Sequence, residues 1–287
     1  MNQIPESELV LNDDGSIYHL HLLPEDLAQT VIFVGDQERV PEVSKHFDNI
    51  EIKKSKREFV THTGTIGSKR LSVISTGIGT DNIDIVLNEL DALVNVNLKT
   101  REINPNPVSL NIVRIGTSGS LQKDIDVNSI LISEYGLGLD SLMQFYDYEE
   151  NDEISSLLTG IDEQLDMLFV NPYLFKASNK LLASFEKHFT KGLTATCCGF
   201  YGPQGRMLRA NTKFDDLINR LSNVNVKGKR ITNFEMETAG IYGLASLLGH
   251  EAISVNAILA NRVKHQFSTN PKKIVEDTIV KVLDLLV

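Results

Sequence analysis

Cysteine is scarce in this 287-residue chain: Cys197 and Cys198 are the only two, and they are neighbours. Adjacent cysteines are poorly placed to bridge one another, so no disulfide framework is expected and a reducing cytoplasm is the simpler home. Basic runs are missing as well. The 28 Lys and Arg set against 38 Asp and Glu leave a formal charge of −10 spread along the sequence, which argues against a wide footprint for nucleic acid. A small anion is still allowed, provided arginines and backbone amides cluster locally against that field. Residues 1–18 are polar and acidic, with neither a basic start nor an apolar stretch, so no secretion signal is expected there. The most apolar stretch, 239–260, is broken by Gly249, His250 and Glu251. It reads as helix, turn and strand, and no membrane span is expected.

What is present is an alternation of elements. Short β-branched runs at 30–34, 71–76 and 111–115 each meet a glycine, Gly35, Gly77 or Gly116, and read as buried strands feeding turns. Ile83, Val86, Leu87, Leu90 and Val94 recur at helical spacing, with Asp81 or Asn82 as the N-cap. Asn171–Pro172 predicts a helix over 173–188, Asn270–Pro271 one running to 286, and Gly249 closes a helix begun near Glu237. Residues 95–109, with Pro105 and Pro107, read as a surface excursion. Interleaved strands and helices without linker or repeat predict an α/β fold. The expected form is a single domain over 1–287, with a central mixed β-sheet flanked by helices in three layers.

Several segments carry chemistry. Gly35-Asp36-Gln37-Glu38-Arg39 puts an arginine just past a strand end, where it could join a helix N-terminus in holding an anion; alone, such an arginine is usually solvated. Arg114 sits in the apolar run Ile112-Val113-Arg114-Ile115, before Gly116-Thr117-Ser118-Gly119. Its burial would be costly unless paired, so either a partner carboxylate or a bound anion is expected. The turn Ser75-Thr76-Gly77-Ile78-Gly79 starts like a dinucleotide fingerprint, but Asn82 stands in the third glycine's place, so it reads as a tight strand-to-helix turn. Glu235-Met236-Glu237 places two acids at a helix start. There they either complement the dipole or accept hydrogen bonds from vicinal ribose hydroxyls, with Met236 packed on the sugar. The loop Phe200 to Arg206, with Gln204, offers an aromatic face, an amide and a fixed cation, a set suited to a heterocycle edged with carbonyls and N–H.

Taken in order, the G-D-x-x-R turn, S-T-G-I-G turn, R-I-G-T-S-G strand and E-M-E helix start resemble the uridine phosphorylases of the nucleoside phosphorylase superfamily, from about Tyr18 to Arg262. That resemblance implies that Gly35, Arg39, Arg114 and Thr117 bind phosphate, joined by Arg57 from a neighbouring subunit. It implies that His19 crosses the same interface to the ribose 5′-hydroxyl. Glu235, Met236 and Glu237 go to the ribose, and Ser118, Gly119, Phe200, Gln204, Arg206 and Phe234 to the base. Arg114, Glu237, Gln204 and Arg206 carry catalysis. Partners are then a nucleoside, inorganic phosphate as co-substrate and further copies of the chain, residues 1–28 serving the interface. No cofactor and no metal site are implied. Some relatives hold a monovalent cation between subunits near positions matching Glu58 and Ile78, where Asn82 here replaces a serine.

The Gln204 and Arg206 pair is similar to a uracil-reading loop. Asn261-Arg262 stands where bacterial hexameric purine enzymes of the superfamily carry Ser-Asp, which disfavours purine cleavage. Two departures are visible: Gly202-Pro203 replaces the family's Pro-Gly or Glu-Gly, and 95–109 is longer than in compact bacterial members. The rivals are a purine phosphorylase, a nucleosidase that uses water, and a catalytically silent nucleoside-binding protein.

Overall fold

A strand buried on both faces has to lie inside a sheet covered on both sides, and β1 (Thr30–Val34) is buried at every position. The computed structural model describes residues 3–167 and 170–287. After β1 come α1 (Arg39–Ser44), β2 (Asn49–Lys56), β3 (Phe59–Ile66), β4 (Lys69–Ser75) and α2 (Thr80–Asn95). A short hairpin of β5 (Val96–Asn97) and β6 (Glu102–Ile103) precedes the long strands β7 (Asn111–Ser120) and β8 (Ile130–Leu139). Next are α3 (Asp152–Leu165), β9 (Tyr173–Lys176), α4 (Asn179–Phe185) and β10 (Thr190–Cys197). The last third holds α5 (Leu217–Asn223), β11 (Asn225–Val226), β12 (Lys229–Glu235), α6 (Thr238–Leu248), β13 (Glu251–Asn261), β14 (Gln266–Phe267) and α7 (Pro271–Leu286). Among the described residues, no helix is long and apolar enough to cross a membrane.

The expected mixed sheet with flanking helices is what forms, and its connectivity explains where a site can sit. β1 lies parallel between β4 and β7, β13 runs parallel to β7 and antiparallel to β8, and β10 lies parallel between β8 and β12. β12 then returns to pair with the far end of β7, Asn233 opposite Ser120 and Phe234 opposite Gly119. Strands β7, β13, β8, β10 and β12 therefore close into a ring, while β1, β4, β3 and β2 extend from it as an open sheet. Helix α2 buries Ile83, Val86, Leu87 and Leu90 completely, one stripe at helical spacing. Each such side chain contributes about 1.5–3 kcal/mol by leaving water.

Four details depart from the sequence reading. Tyr173–Lys176 is a strand, not the start of a helix: its apolar residues pair antiparallel with β8, Gly138 opposite Tyr173. The helix begins only at Asn179, where the Ser178 hydroxyl accepts the Leu181 N–H at 3.2 Å, so the cap is Ser178 and not Asn171. Helix α2 starts at Thr80 with Gly79 as its N-cap, two residues ahead of Asp81 and three ahead of Asn82. And β7 does not stop at Ile115. Gly116, Thr117 and Ser118 continue the ladder opposite Asn256, Ala257 and Ile258 of β13, because a long parallel partner supplies the hydrogen bonds that a turn would have left open. The 95–109 excursion is a surface feature built on the β5–β6 hairpin, with Ile103 and Val108 exposed.

Candidate active site

A cavity of about 800 Å³ opens where the ends of β1, β4, β7 and β12 meet. Gly35 and Arg39 enter it from the turn after β1, Arg114, Thr117, Ser118 and Gly119 from β7, and Phe234, Glu235, Met236 and Glu237 from the β12–α6 junction. Phe200, Gln204 and Arg206 close a further wall. The closed ring explains this convergence, since β12 and β7 are hydrogen-bonded at their ends.

Arg114 is the hub. Its Nη2 donates to Glu237 Oε2 at 2.5 Å and lies 3.0 Å from Glu235 Oε2, while Nη1 donates to Asn256 Oδ1 at 3.0 Å and to Ser254 Oγ at 3.3 Å. Burial disfavours its charge, but Glu235 and Glu237 outweigh that and hold Arg114 above its ordinary pKa. Of the two alternatives left open by the sequence, a partner carboxylate is therefore present, in duplicate. Arg39 sits nearby, its Nη1 donating to Ile115 O at 3.4 Å. Burial, and after it the Arg114 charge, lowers its pKa. A buried guanidinium and a partly buried one, close enough to disfavour one another, are able to hold an anion together.

The two acids of the E-M-E segment differ in freedom. Glu235 receives Thr196 Oγ1 at 2.7 Å, Glu237 N at 3.0 Å and Thr238 N at 3.0 Å, besides Arg114. Both oxygens are thus committed to holding Arg114 and the first turn of α6, a supporting position, and burial pushes the Glu235 pKa up. Glu237 accepts from Gly79 N at 2.9 Å with one oxygen and from Arg114 with the other. Gly79 can present that amide because it and Gly77 lie at φ +96° and +72°, a region that glycine adopts without strain.

On the third wall, Arg206 Nη1 donates to Gln204 Oε1 at 2.5 Å and to Phe200 O at 2.7 Å, and its guanidinium lies 3.7 Å from the Phe200 ring centroid. Burial, then the charge of Arg262, lowers Arg206 below its ordinary pKa. Arg262 donates to the carbonyls of Gln204 and Gly205, bracing the turn from beneath. Arg206 also faces a second cavity of about 550 Å³, whose floor of Leu139, Cys197, Phe214 and Leu217 is apolar and, among the described residues, offers no carboxylate.

The family model described as the phosphorylase superfamily matches residues 29–285. The chain belongs to that superfamily. It is 30% identical to a uridine phosphorylase of Thermococcus kodakarensis over 94% of this chain and 88% of the relative. It is 25% identical to a DeoD-type purine nucleoside phosphorylase of Buchnera aphidicola over 89% and 92%. A crystal structure of a Trypanosoma brucei nucleoside phosphorylase, described as showing uridine phosphorylase activity, superposes with a TM-score of 0.88 at 26% identity, covering 97% of this chain and 98% of that one. Membership makes the chain an enzyme of the pentosyltransferase class.

Two residues assigned to the site by resemblance to the superfamily lie outside this cavity. Both are the residues that the resemblance brings from a neighbouring subunit, and in their own chain they cluster around Tyr18, whose ring centroid is 4.8 Å from that of His19 and 6.0 Å from Arg57 Cζ. Arg57 stands at φ +54°, a conformation costing a non-glycine residue about 1–2 kcal/mol, at the tip of the β2–β3 hairpin. Glu58, Ile78 and Asn82, matching the cation-holding positions of some relatives, share the cavity rim.

Sequence reasoning overlooked Ser254 and Asn256, which hold Arg114. The signal was there: a serine and an asparagine inside the apolar run 253–259 had to be satisfied by something buried. Gly116 was noted as a turn glycine, but its role is to leave room, because a Cβ there would overlap the Arg114 guanidinium. With that guanidinium fixed by two acids and an amide, Gly116→Ala is expected to displace it and lower kcat/KM for phosphate about tenfold with little change in the nucleoside KM. Steady-state kinetics with phosphate varied checks this.

Proposed function

We propose that the chain catalyses reversible phosphorolysis of uridine to uracil and ribose 1-phosphate. A phosphate oxygen bonds to C1′ as the C1′–N1 bond breaks, and the electron pair leaves with the uracil ring through an oxocarbenium-like transition state. Arg39, Arg114, Thr117 and the Gly35 turn hold the phosphate, with Arg57 of the partner subunit completing its shell. Glu237 accepts from the ribose hydroxyls and Met236 packs against the sugar, while His19 of the partner subunit takes the 5′-hydroxyl. Phosphate is the second substrate, and no protein nucleophile is needed.

The observation that carries the choice of base is the pair Gln204–Arg206, joined at 2.5 Å, with the Arg206 guanidinium over the Phe200 ring. Uracil presents carbonyl, N–H and carbonyl along one edge; the arginine donates, the Gln204 oxygen accepts and the Gln204 amide donates. The same donors stabilise charge developing on the departing ring, typically worth about 3–4 kcal/mol each. The position matching the purine enzymes' acid is Arg262, which is spent on the turn's carbonyls. Purified protein given uridine and phosphate is expected to release uracil and ribose 1-phosphate in equal amounts, and nothing when phosphate is withheld. Free ribose as product would place it with nucleosidases. Inosine turning over faster than uridine would place it with purine enzymes, and binding without turnover would make it a silent receptor.

A further inference from the structure

Glu89 has no place in the cavity, yet it is the most heavily engaged carboxylate of α2. One of its oxygens accepts the His19 backbone N–H at 2.9 Å, the other accepts the Leu20 N–H at 2.9 Å, and His19 Nδ1 lies 2.6 Å from Oε1. The segment it grips, Tyr18-His19-Leu20, has no helix or strand of its own to fix it. From the opposite side, Lys56 Nζ donates to Tyr18 O at 2.5 Å and to Asn12 Oδ1 at 2.7 Å and stands 4.2 Å from the Tyr18 ring centroid. Lys56 immediately precedes Arg57 in the β2–β3 hairpin. The His19 ring is further confined edge-on between Tyr18 and Phe59.

We propose that Glu89 is a positioning residue for phosphorolysis. It acts through His19, fixing both the ring's orientation and its tautomer before that ring enters the partner subunit's site. This rests on the assignment of His19 to the ribose 5′-hydroxyl made above. A carboxylate accepts only, so the 2.6 Å contact requires the proton on Nδ1. The lone pair is then on Nε2, which no hydrogen bond reaches among the described residues. In the opposite tautomer, Nδ1 would set a lone pair against a carboxylate oxygen. In this tautomer the imidazole presents an acceptor outward, and the 5′-hydroxyl donates to it. Because the same carboxylate also takes the backbone amides of His19 and Leu20, ring and main chain are set by one group. Lys56 ties this unit to the hairpin carrying Arg57, so the two lent side chains keep a fixed spacing.

The test compares uridine with 5′-deoxyuridine, which lacks the group His19 reads. His19→Ala is expected to lower kcat/KM for uridine about tenfold, the worth of one hydrogen bond, and to leave 5′-deoxyuridine unchanged. Glu89→Ala should reproduce that selective loss, and the double variant should add nothing to it. On the unmodified protein, imidazole ¹⁵N shifts of His19 should show Nδ1 protonated and Nε2 bare. If His19→Ala leaves the uridine preference intact, the assignment of His19 fails and takes this proposal with it. If His19→Ala behaves as expected but Glu89→Ala slows both nucleosides equally, or the wild-type ring carries its proton on Nε2, the role of Glu89 alone is overturned.

Discussion

Replacing Arg114 by alanine is expected to cut kcat/KM for phosphate by about 10³-fold, the upper range for deleting one preorganised charged donor. It should also destabilise the fold, because Glu235 and Glu237 lose the cation between them, and stranding buried charge typically costs about 3–5 kcal/mol. The two losses are separable. Adding Glu235→Gln removes one stranded carboxylate and should recover part of the thermal stability while phosphate use stays lost. The pH dependence has a definite sign. Burial already pushes Glu235 up, and without Arg114 the main downward influence is gone. A carboxyl whose folded pKa lies above its unfolded value binds more protons when folded, so stability is gained as pH falls through the folded pKa. The melting temperature of Arg114→Ala should therefore rise on mild acidification, and thermal scans across neutral to mildly acidic buffers check it.

If Arg206 serves the leaving group and not the anion, as proposed, replacing it by alanine should lower kcat/KM for uridine about 10²-fold and leave the apparent phosphate affinity unchanged. Arg206→Lys keeps the charge but loses the planar fork that reaches Gln204 Oε1 and Phe200 O together, so only a fraction of the rate should return. Initial rates with each substrate varied in turn distinguish this from general damage to the turn, which would weaken both.

How much of this was readable in the chain depends on whether the determining contact was local. Helix α7, capped by the Asn270 side chain and opened by Pro271, and helix α6, closed by Gly249, follow from residues a few positions apart and were correctly placed. Arg114 stood out because a lone cation in an apolar run must be answered by something. What answered it, Glu235 and Glu237, lies more than a hundred residues downstream, which no spacing rule reaches. The strand at Tyr173–Lys176 was mistaken for helix for the same reason: its partner on β8 decides its state, not its own periodicity. Glu89 was invisible as anything but a polar residue on the outer side of α2, since only the folded N-terminal segment brings His19 to it.

The ring of five strands has a consequence for how this enzyme comes into being. β7 and β8 are consecutive in sequence but are not neighbours in the ring; the strand between them is β13, which ends at Asn261. During synthesis the gap stays open until the chain has been made through Asn261. Arg114 waits that long for Ser254 and Asn256. Pairings spanning such separations are slow to form, and a chain halted short of β13 would leave the Arg114 guanidinium without Ser254 and Asn256. The surroundings of Arg114 should thus be completed late, when β13 joins the ring.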